Sequence, residues 1–206
     1  MKKLLLLFSF LLLMAHTYAQ QCSENTNVNG IAGTGHTPGN NVGQSFTACQ
    51  TGLLATVSAV SGNAPAGSNE FIVEIHAGEG FNGTLLGRSG SIFIGANRTV
   101  TWNLRSLGII VQAGQKYTAQ FLRVRGDAQL KYSTAANPAL DYYTRGRAIG
   151  IGQPHNDMFF SALIETLSAP TLNPADDATE VARSTDLKMT FSRSMEAESV
   201  NITIEN

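Results

Sequence analysis

Apolar side chains recur at every second residue along this chain, in short segments that end in glycine, asparagine, proline or serine. In RTVTWNL, for example, Val100, Trp102 and Leu104 share one face while polar residues share the other. A period of two is that of a β-strand with one buried face, whereas an amphipathic helix requires a period of about 3.6 residues. The alternation therefore predicts strands, and it places Trp102 in the core.

The strand segments follow one another closely, with turn-forming residues between them. They are QSFTAC, LLATVSAVS, EFIVEIH, TLLGRSG, SIFIG, RTVTWNL, LGIIV, KYTAQFLRV, QLKYS, DYYTRG and DMFFSALIE. A series of short strands of this kind predicts an all-β fold, an antiparallel sandwich or barrel. The chain from Asn25 to Gly43 is predicted to be a loop. A change of phase between Phe121 and Leu122 predicts a β-bulge.

The first residues have the three parts of a secretory signal peptide. Two lysines precede an apolar run from Leu4 to Ala15, and Thr17 and Ala19 supply small residues at a cleavage position. A membrane anchor is the alternative, but it needs about 20 apolar residues to span the bilayer, and this run is shorter. We therefore expect a signal peptide over residues 1–19. The mature chain is expected to lack a membrane span and to be secreted or held at the cell surface.

Charge and cysteine content agree with an exported protein. The net charge is −1, which does not suit a nucleic-acid-binding protein, since such proteins carry a strong basic excess. The two cysteines, Cys22 and Cys49, would meet an oxidising compartment, which favours a disulfide. Closing that loop would stabilise the fold by about 3.5 kcal/mol on the chain-entropy model. Two unpaired thiols are the alternative.

The composition becomes more acidic after Ser168, and prolines flank the change. We place a domain boundary there, with a β-sandwich domain over residues 20–168 and a second domain over residues 169–206. In the second, NPADDATEVARSTDLKMTFSRSM followed by VNITIEN resembles the start of a bacterial Ig-like domain of the S-layer-associated (SbsA-like) type. The resemblance is carried by Pro174, Asp176, Asp177, Ala178, Val181, Leu187, Thr190, Phe191 and Ser192.

That resemblance implies an incomplete Ig-like β-domain, because domains of this kind run to roughly 100 residues. A segment this short cannot bury enough surface to fold by itself. We therefore interpret the chain as the N-terminal part of a longer, multi-domain protein. The alternative is that the tail adds strands to the sandwich.

Residues 43–165 resemble, more loosely, the jelly-roll modules of secreted bacterial multi-domain proteins. The segments that carry this likeness are GQSFT at residue 43, VEI at residue 73, GTLL at residue 83 and GQKY at residue 114. The resemblance implies a jelly-roll-like sandwich, and modules of this shape often bind sugars. It implies a fold more than an activity.

No catalytic residues are predicted. Glu70 and Glu74 share a strand face, but four residues of strand separate them by about 13 Å, beyond the roughly 5–9.5 Å of glycoside hydrolases. His76 lies closer to Glu74 on the same face, an arrangement typical of a solvated sheet surface. Nucleophile elbows, phosphate loops and dinucleotide fingerprints are absent from the sequence. We therefore expect a protein that is not an enzyme.

No metal site is predicted either, and calcium is the one metal that the sequence admits. None of the histidines after residue 19 lies in a metal-binding spacing, and no calcium-loop pattern occurs. Glu79, Asn82 and Thr84 in the glycine-rich loop AGEGFNG could supply oxygen ligands. A flexible hairpin tip is the alternative interpretation of that loop.

Candidate ligand-binding residues are exposed aromatic side chains with polar neighbours, because such rings pack against sugar faces while amides and charged groups bind hydroxyls. Phe81 and Asn82 lie at the tip of the glycine-rich loop. Tyr142 and Tyr143 point to opposite faces of their predicted strand, so one of them should be outside. Arg145 follows on the same segment, and an anionic glycan could bind there; scattered surface charge is the alternative.

Together these observations predict an exported, non-catalytic binding or adhesion module that recognises a polysaccharide or a cell-surface partner. Two alternatives stay open. One is a purely structural extracellular spacer, and the other is the accessory front end of a secreted hydrolase. No cofactor and no nucleic-acid partner are expected.

Overall fold

The structure is a computed structural model, and it describes residues 21–25, 34–36, 42–64, 69–133, 141, 143–151, 155–167, 171–173 and 188–190. The strands are β1 (Gln21–Asn25), β2 (Thr34–His36), β3 (Val42–Thr47), β4 (Gly52–Val60), β5 (Glu70–Ala77), β6 (Leu85–Arg88), β7 (Ile92–Phe93), β8 (Thr99–Asn103), β9 (Ile110–Val111), β10 (Lys116–Arg125), β11 (Leu130–Tyr132), β12 (Ala148–Ile149), β13 (Phe160–Glu165), β14 (Thr171–Asn173) and β15 (Lys188–Thr190). The described residues contain no α-helix, only one 3-10 turn over Arg105–Leu107. The predicted all-β class is confirmed.

Two antiparallel sheets form the sandwich. The five-stranded sheet has the order β1-β13-β4-β8, with β9 also paired to β4. The six-stranded sheet has the order β12-β3-β10-β5-β6, with β7 also paired to β5. The longer strands β3, β4, β5, β8, β10 and β13 alternate between the two sheets along the chain. A separate two-stranded ladder joins β2 to β11.

The core lies between the sheets, and aromatic rings cross it. The centroid of Trp102 on β8 is 5.2 Å from that of Phe121 on β10, and Phe46 on β3 is 5.6 Å from Phe160 on β13. Trp102 also donates a hydrogen bond to the Phe71 carbonyl at 3.4 Å, which satisfies its one polar atom. Each large apolar side chain buried in this way stabilises the fold by roughly 1.5–3 kcal/mol. The prediction that Trp102 belongs to the core is confirmed.

The register of the six-stranded sheet sets the positions of the polar side chains on its outer face. Glu74 on β5 is opposite Gln120 on β10 and Arg88 on β6. Two residues further along β5, on the same face, His76 is opposite Thr118 and Leu85. Directly opposite residues on one sheet face have their Cβ atoms about 5 Å apart, so these side chains form one contiguous surface.

Three local predictions are wrong. The bulge of β10 lies between Arg123 and Arg125, not between Phe121 and Leu122. The segment predicted as a loop before Gly43 contains β2, and it also overlaps the end of β1. The described part of DYYTRG is not a strand. There the backbone N–H of Tyr143 donates to side-chain carboxylates, Asp141 at 3.1 Å and Asp157 at 3.0 Å, rather than to a neighbouring strand.

The chain divides into two compact units, one up to Thr166 and one from Leu167. In the second unit β14 pairs with β15 antiparallel, and Leu172 is opposite Met189. Most of the segment that resembles an Ig-like domain, and the whole of residues 1–19, lies outside the described residues. The Ig-like resemblance and the signal peptide therefore stay predictions.

Candidate functional site

The outer face of β5 is covered by the loop that follows it, residues 78–83, here called the Phe81 loop. Glu74 and His76 point away from the core residue Ile75, yet both are almost fully buried. The sequence predicted a solvated strand surface at these positions. That prediction is wrong because the loop folds back over the sheet.

Hydrogen bonds to Thr118 hold the loop in this position. Gly78 and Gly80 have positive φ values of 82° and 101°, a region that is costly for residues with a side chain. Thr118 Oγ1 donates to the Gly78 carbonyl and accepts from the Gly80 N–H, both at 2.8 Å. The two glycines thus turn the chain back over β10, and the threonine fixes it there.

Glu79 adds ion pairs to these hydrogen bonds. One of its carboxylate oxygens contacts Lys116 Nζ, and the other accepts from Arg147 Nε at 2.6 Å. The hydrogen bond from Lys116 is the largest influence on the pKa of Glu79, and together with Arg147 it lowers that pKa below its ordinary value despite some desolvation. The carboxylate is therefore charged at neutral pH, and it links the loop to two neighbouring segments.

The ring of Phe81 lies over a glycine of β3. A Cβ atom at Gly43 would be 2.8 Å from Phe81 Cε1 and 2.4 Å from the carbonyl oxygen of Ala119, so only glycine leaves room for the ring. The ring also approaches His76 edge-on, with centroids 6.3 Å apart. We call this surface the Phe81 face; it consists of Gly43, Glu74, His76, Phe81, Arg88, Thr118 and Gln120. Phe81 is half-buried in it.

Beneath the ring, two polar side chains are packed against each other. Glu74 accepts a hydrogen bond from Arg88 Nε at 2.5 Å, and its second oxygen is 3.4 Å from His76 Nε2. His76 Nδ1 lies 3.3 Å from the Gly83 carbonyl, which requires the ring to carry its proton on Nδ1 for a hydrogen bond. Within the described part of the chain, Nε2 makes no hydrogen bond. The imidazole therefore connects β5 to the end of the Phe81 loop.

The candidate ligand-binding residues fall into two clusters. Phe81 and Asn82 belong to the Phe81 loop, where Asn82 is exposed. Phe81 is less exposed than the sequence predicted, because its ring packs on the sheet. Tyr143 and Arg145 lie instead around Glu24, and Tyr142 lies outside the described residues.

The cluster around Glu24 holds the first strand in place. The buried Tyr143 hydroxyl donates to Glu24 at 2.6 Å, and Arg145 Nη1 is 2.9 Å from the other carboxylate oxygen. Burial and the Glu24 carboxylate raise the pKa of Tyr143. Near the same end of β1, Cys22 forms a disulfide with Cys49, so the predicted bridge is confirmed. In this structure Tyr143 and Arg145 have partners within the protein that account for their side chains.

The carboxylates considered for catalysis and for calcium are also paired. Glu70 binds Arg125 and Glu74 binds Arg88. Glu79, the one carboxylate of the calcium hypothesis, has a cation at each oxygen, which leaves it poorly placed to coordinate another. Among the described ranges, no three His, Cys, Asp or Glu side chains gather where they could hold a metal ion.

Sequence reasoning missed Gly43 under the Phe81 ring, Arg88 as the partner of Glu74, and Lys116 and Arg147 as the partners of Glu79. Arg88 could have been found, because a hairpin that returns from β5 brings its second strand opposite Glu74. The other three could not, since they come from strands or loops far away in sequence and meet only when the sheet is assembled.

The fold and this surface define the chain as an antiparallel β-sandwich with a loop-covered polar face. In comparisons with known proteins, no family model matches the chain, and no curated protein matches it. None of the described residues forms a helix long and apolar enough to cross a membrane.

Proposed function

We propose that this chain is an exported, non-catalytic module that binds a polysaccharide on the Phe81 face. The observation that carries the proposal is the seating of the Phe81 ring on Gly43, beside a row of polar side chains. The polar row itself is buried, but Asn82 and Arg88 beside it are exposed. A half-buried ring with such exposed groups nearby combines an apolar platform with hydrogen-bonding groups, which is the composition of sites for small polar ligands. Sugars present both an apolar ring face and hydroxyls.

The position of the ring is set in advance. Thr118, Glu79 and two glycines hold the loop, so little conformational entropy is lost when a ligand packs against Phe81. Restricting a binding loop before association raises affinity by reducing the cost of ordering it. This supports a binding role for the loop rather than that of a mobile hairpin tip.

Two further features support the rest of the proposal. The Cys22–Cys49 disulfide is the kind of bond that persists in oxidising compartments, in agreement with the predicted signal peptide and with a secreted or surface location. The buried Glu74 carboxylate is bound by Arg88, and a carboxylate held in an ion pair is poorly suited to transferring protons. This supports binding without catalysis.

The test is retention of the mature chain on a glycan array, compared with that of Phe81→Ala. Loss of the ring should weaken retention about tenfold, which corresponds to about 1.4 kcal/mol. Phe93→Ala is the matched control, because Phe93 is an exposed phenylalanine on β7 of the same sheet. It lies opposite Glu70, six residues of β5 away from His76, so it should leave retention unchanged.

Three results would contradict the proposal. The wild-type chain could fail to bind any glycan, which would favour the spacer alternative. Phe81→Ala could bind as well as wild type. Retention could depend on Phe93 and not on Phe81, which would place a binding site elsewhere on the sheet.

A further inference from the structure

In the ion pairs on and beside the Phe81 face, the acidic side chain is less exposed to solvent than its basic partner. The side chain of Glu74 is 8% exposed and that of its partner Arg88 is 59% exposed. Glu79 is 27% exposed, while its partners Lys116 and Arg147 are 49% and 46% exposed. An approaching ligand therefore meets the cationic groups first, and the carboxylates that balance them lie underneath.

The ion pairs on the outer side of the six-stranded sheet, taken together, contain more basic than acidic groups. Glu79 is shared by two cations, and the remaining pairs match one acid to one base, as in Glu70 with Arg125. Four basic side chains are thus set against three carboxylates on this side of the sandwich. The whole chain, in contrast, has a net charge of −1, so the positive charge is local to this surface.

The arginines of these ion pairs have more N–H groups than their glutamate partners require. A guanidinium has five N–H groups in a planar fork that matches a carboxylate or a sulfate. Arg147 uses Nε to bind Glu79, and almost half of its side chain is exposed. Its terminal nitrogens are therefore accessible to an acidic group that lies next to the Phe81 ring.

We infer that the ligand of the Phe81 face is an anionic polysaccharide, one whose sugars carry carboxylate or sulfate groups. The Phe81 ring packs on the sugar, and Arg88, Lys116 and Arg147 bind its acidic substituents. This inference rests on the proposed function and names the substrate class of the same site. Nucleic acid is the other polyanion to consider, but the site offers one aromatic ring and a small local charge, whereas nucleic-acid sites combine several stacking rings with a strongly basic groove.

Two matched pairs of polymers test the inference with the mature chain in affinity electrophoresis. Polygalacturonate is compared with its methyl ester, and dextran sulfate with dextran. We expect retardation by the charged member of at least one pair to exceed that by its neutral member about tenfold, and the pair that responds tells carboxylate from sulfate. Raising NaCl from about 0.05 to 0.5 M should remove most of that difference, because the Debye length falls below about 5 Å.

Arg147→Gln is the diagnostic variant, and Arg105→Gln is its control. The two arginines are similarly exposed, and each binds one glutamate, but Arg105 follows β8 of the other sheet. Arg147→Gln should weaken binding of the charged polymer about three- to tenfold, as expected for loss of one charge-assisted contact. Arg147→Lys should recover part of it, and Arg105→Gln should bind as wild type.

The failures are distinguishable. Equal binding of charged and neutral polymers, unaffected by salt and by Arg147→Gln, would overturn this inference and leave the proposed function intact. No binding of any polymer would overturn both. Single-stranded DNA retained as strongly as the acidic glycan, and equally dependent on Arg147, would overturn the assignment to sugars. If Arg147→Gln lowered binding of a neutral glycan as much as that of its charged partner, the arginine would act only by holding the loop, which would contradict the charge recognition.

Discussion

The two outer faces of the sandwich arise from the same alternation of side chains and yet differ in character. On the five-stranded sheet, the outward positions of β8 are Thr99, Thr101 and Asn103, all exposed. On the six-stranded sheet, the outward positions of β5 include Glu74 and His76, which are buried. A period of two identifies which side chains leave the core in both cases. It does not tell whether another part of the chain then covers them.

The difference comes from the connections between strands. We call the outer face of the five-stranded sheet, with Ser58 of β4 and Thr99, Thr101 and Asn103 of β8, the plain face. There Ser58 Oγ and Thr101 Oγ1 are 2.8 Å apart, so neighbouring hydroxyls form a hydrogen bond across the strands. On the Phe81 face, charged groups need partners, and a glycine-rich connection brings Glu79 and Phe81 over the sheet to meet them. On the plain face the outward polar side chains find partners within the sheet, whereas on the Phe81 face a loop supplies part of the contacts.

The largest expected effect is that of adding a methyl group to the Phe81 face, at the glycine beneath the ring. Gly43→Ala would bring its Cβ within 2.4 Å of the Ala119 carbonyl and 2.8 Å of the Phe81 ring. We expect the free energy of unfolding to fall by about 1–3 kcal/mol, as for other overpacked sites, and glycan retention to fall with it. Denaturant unfolding of wild type and variant measures the first effect. A variant as stable as wild type would contradict the close approach of Gly43 to the Ala119 carbonyl and to the Phe81 ring.

A smaller effect is expected from the charge that holds the loop. The pKa of Glu79 is lowered in the folded protein from an ordinary value of 4.5, so the carboxylate stabilises the fold above that value and loses this contribution as the pH falls through the folded-state pKa. Ion pairs this close to the surface contribute about 1 kcal/mol or less.

Glu79→Gln removes the titrating carboxylate, so comparing its stability with that of wild type at several pH values tests this contribution. It should unfold at slightly lower denaturant concentration than wild type at pH 7. The difference should shrink as the pH falls below 4.5 and through the lowered folded-state pKa of Glu79, because the wild-type side chain then also becomes uncharged. A difference that stayed constant with pH would mean that the ion pairs with Lys116 and Arg147 do not hold the loop.

The smallest effect is expected on the plain face. Thr101 is exposed, so its hydroxyl can bond water after Ser58→Ala, and that variant should cost about 0.5 kcal/mol or less. Ser58→Ala with Thr101→Val removes both groups and should be close to neutral. Neither variant should alter glycan retention. A double variant that lost retention would place part of the binding surface on the five-stranded sheet and weaken the contrast between the faces.

The sequence was sufficient for the parts of the fold that depend on local alternation. The buried row Val100, Trp102 and Leu104 is where the pattern placed it, and so is the row Phe71, Val73 and Ile75. The short strands β1, β2 and β12 were missed, because two to five residues carry too little periodicity and their pairing partners are distant in sequence.

The candidate site was predictable only in part. Phe81 and Asn82 were chosen because an aromatic residue among glycines stands out in a loop, and they stay candidates. Tyr143 was chosen on a strand pattern that the structure does not contain, since two aspartates bind the backbone N–H of this residue and its hydroxyl turns inward to Glu24. Side-chain-to-backbone contacts of this kind leave no periodic trace in the sequence.

The bond between Cys22 and Cys49 has a consequence for producing the protein. It ties β1, which pairs along β13, to Cys49 in the connection between β3 and β4, and β1 is what keeps β13 from being an edge strand of its sheet. Made in a reducing cytosol, the chain would hold this terminal strand only through its ladder and the Glu24 contacts. An unpaired edge strand can pair with other chains. Aggregation during expression would then be a consequence of the missing disulfide.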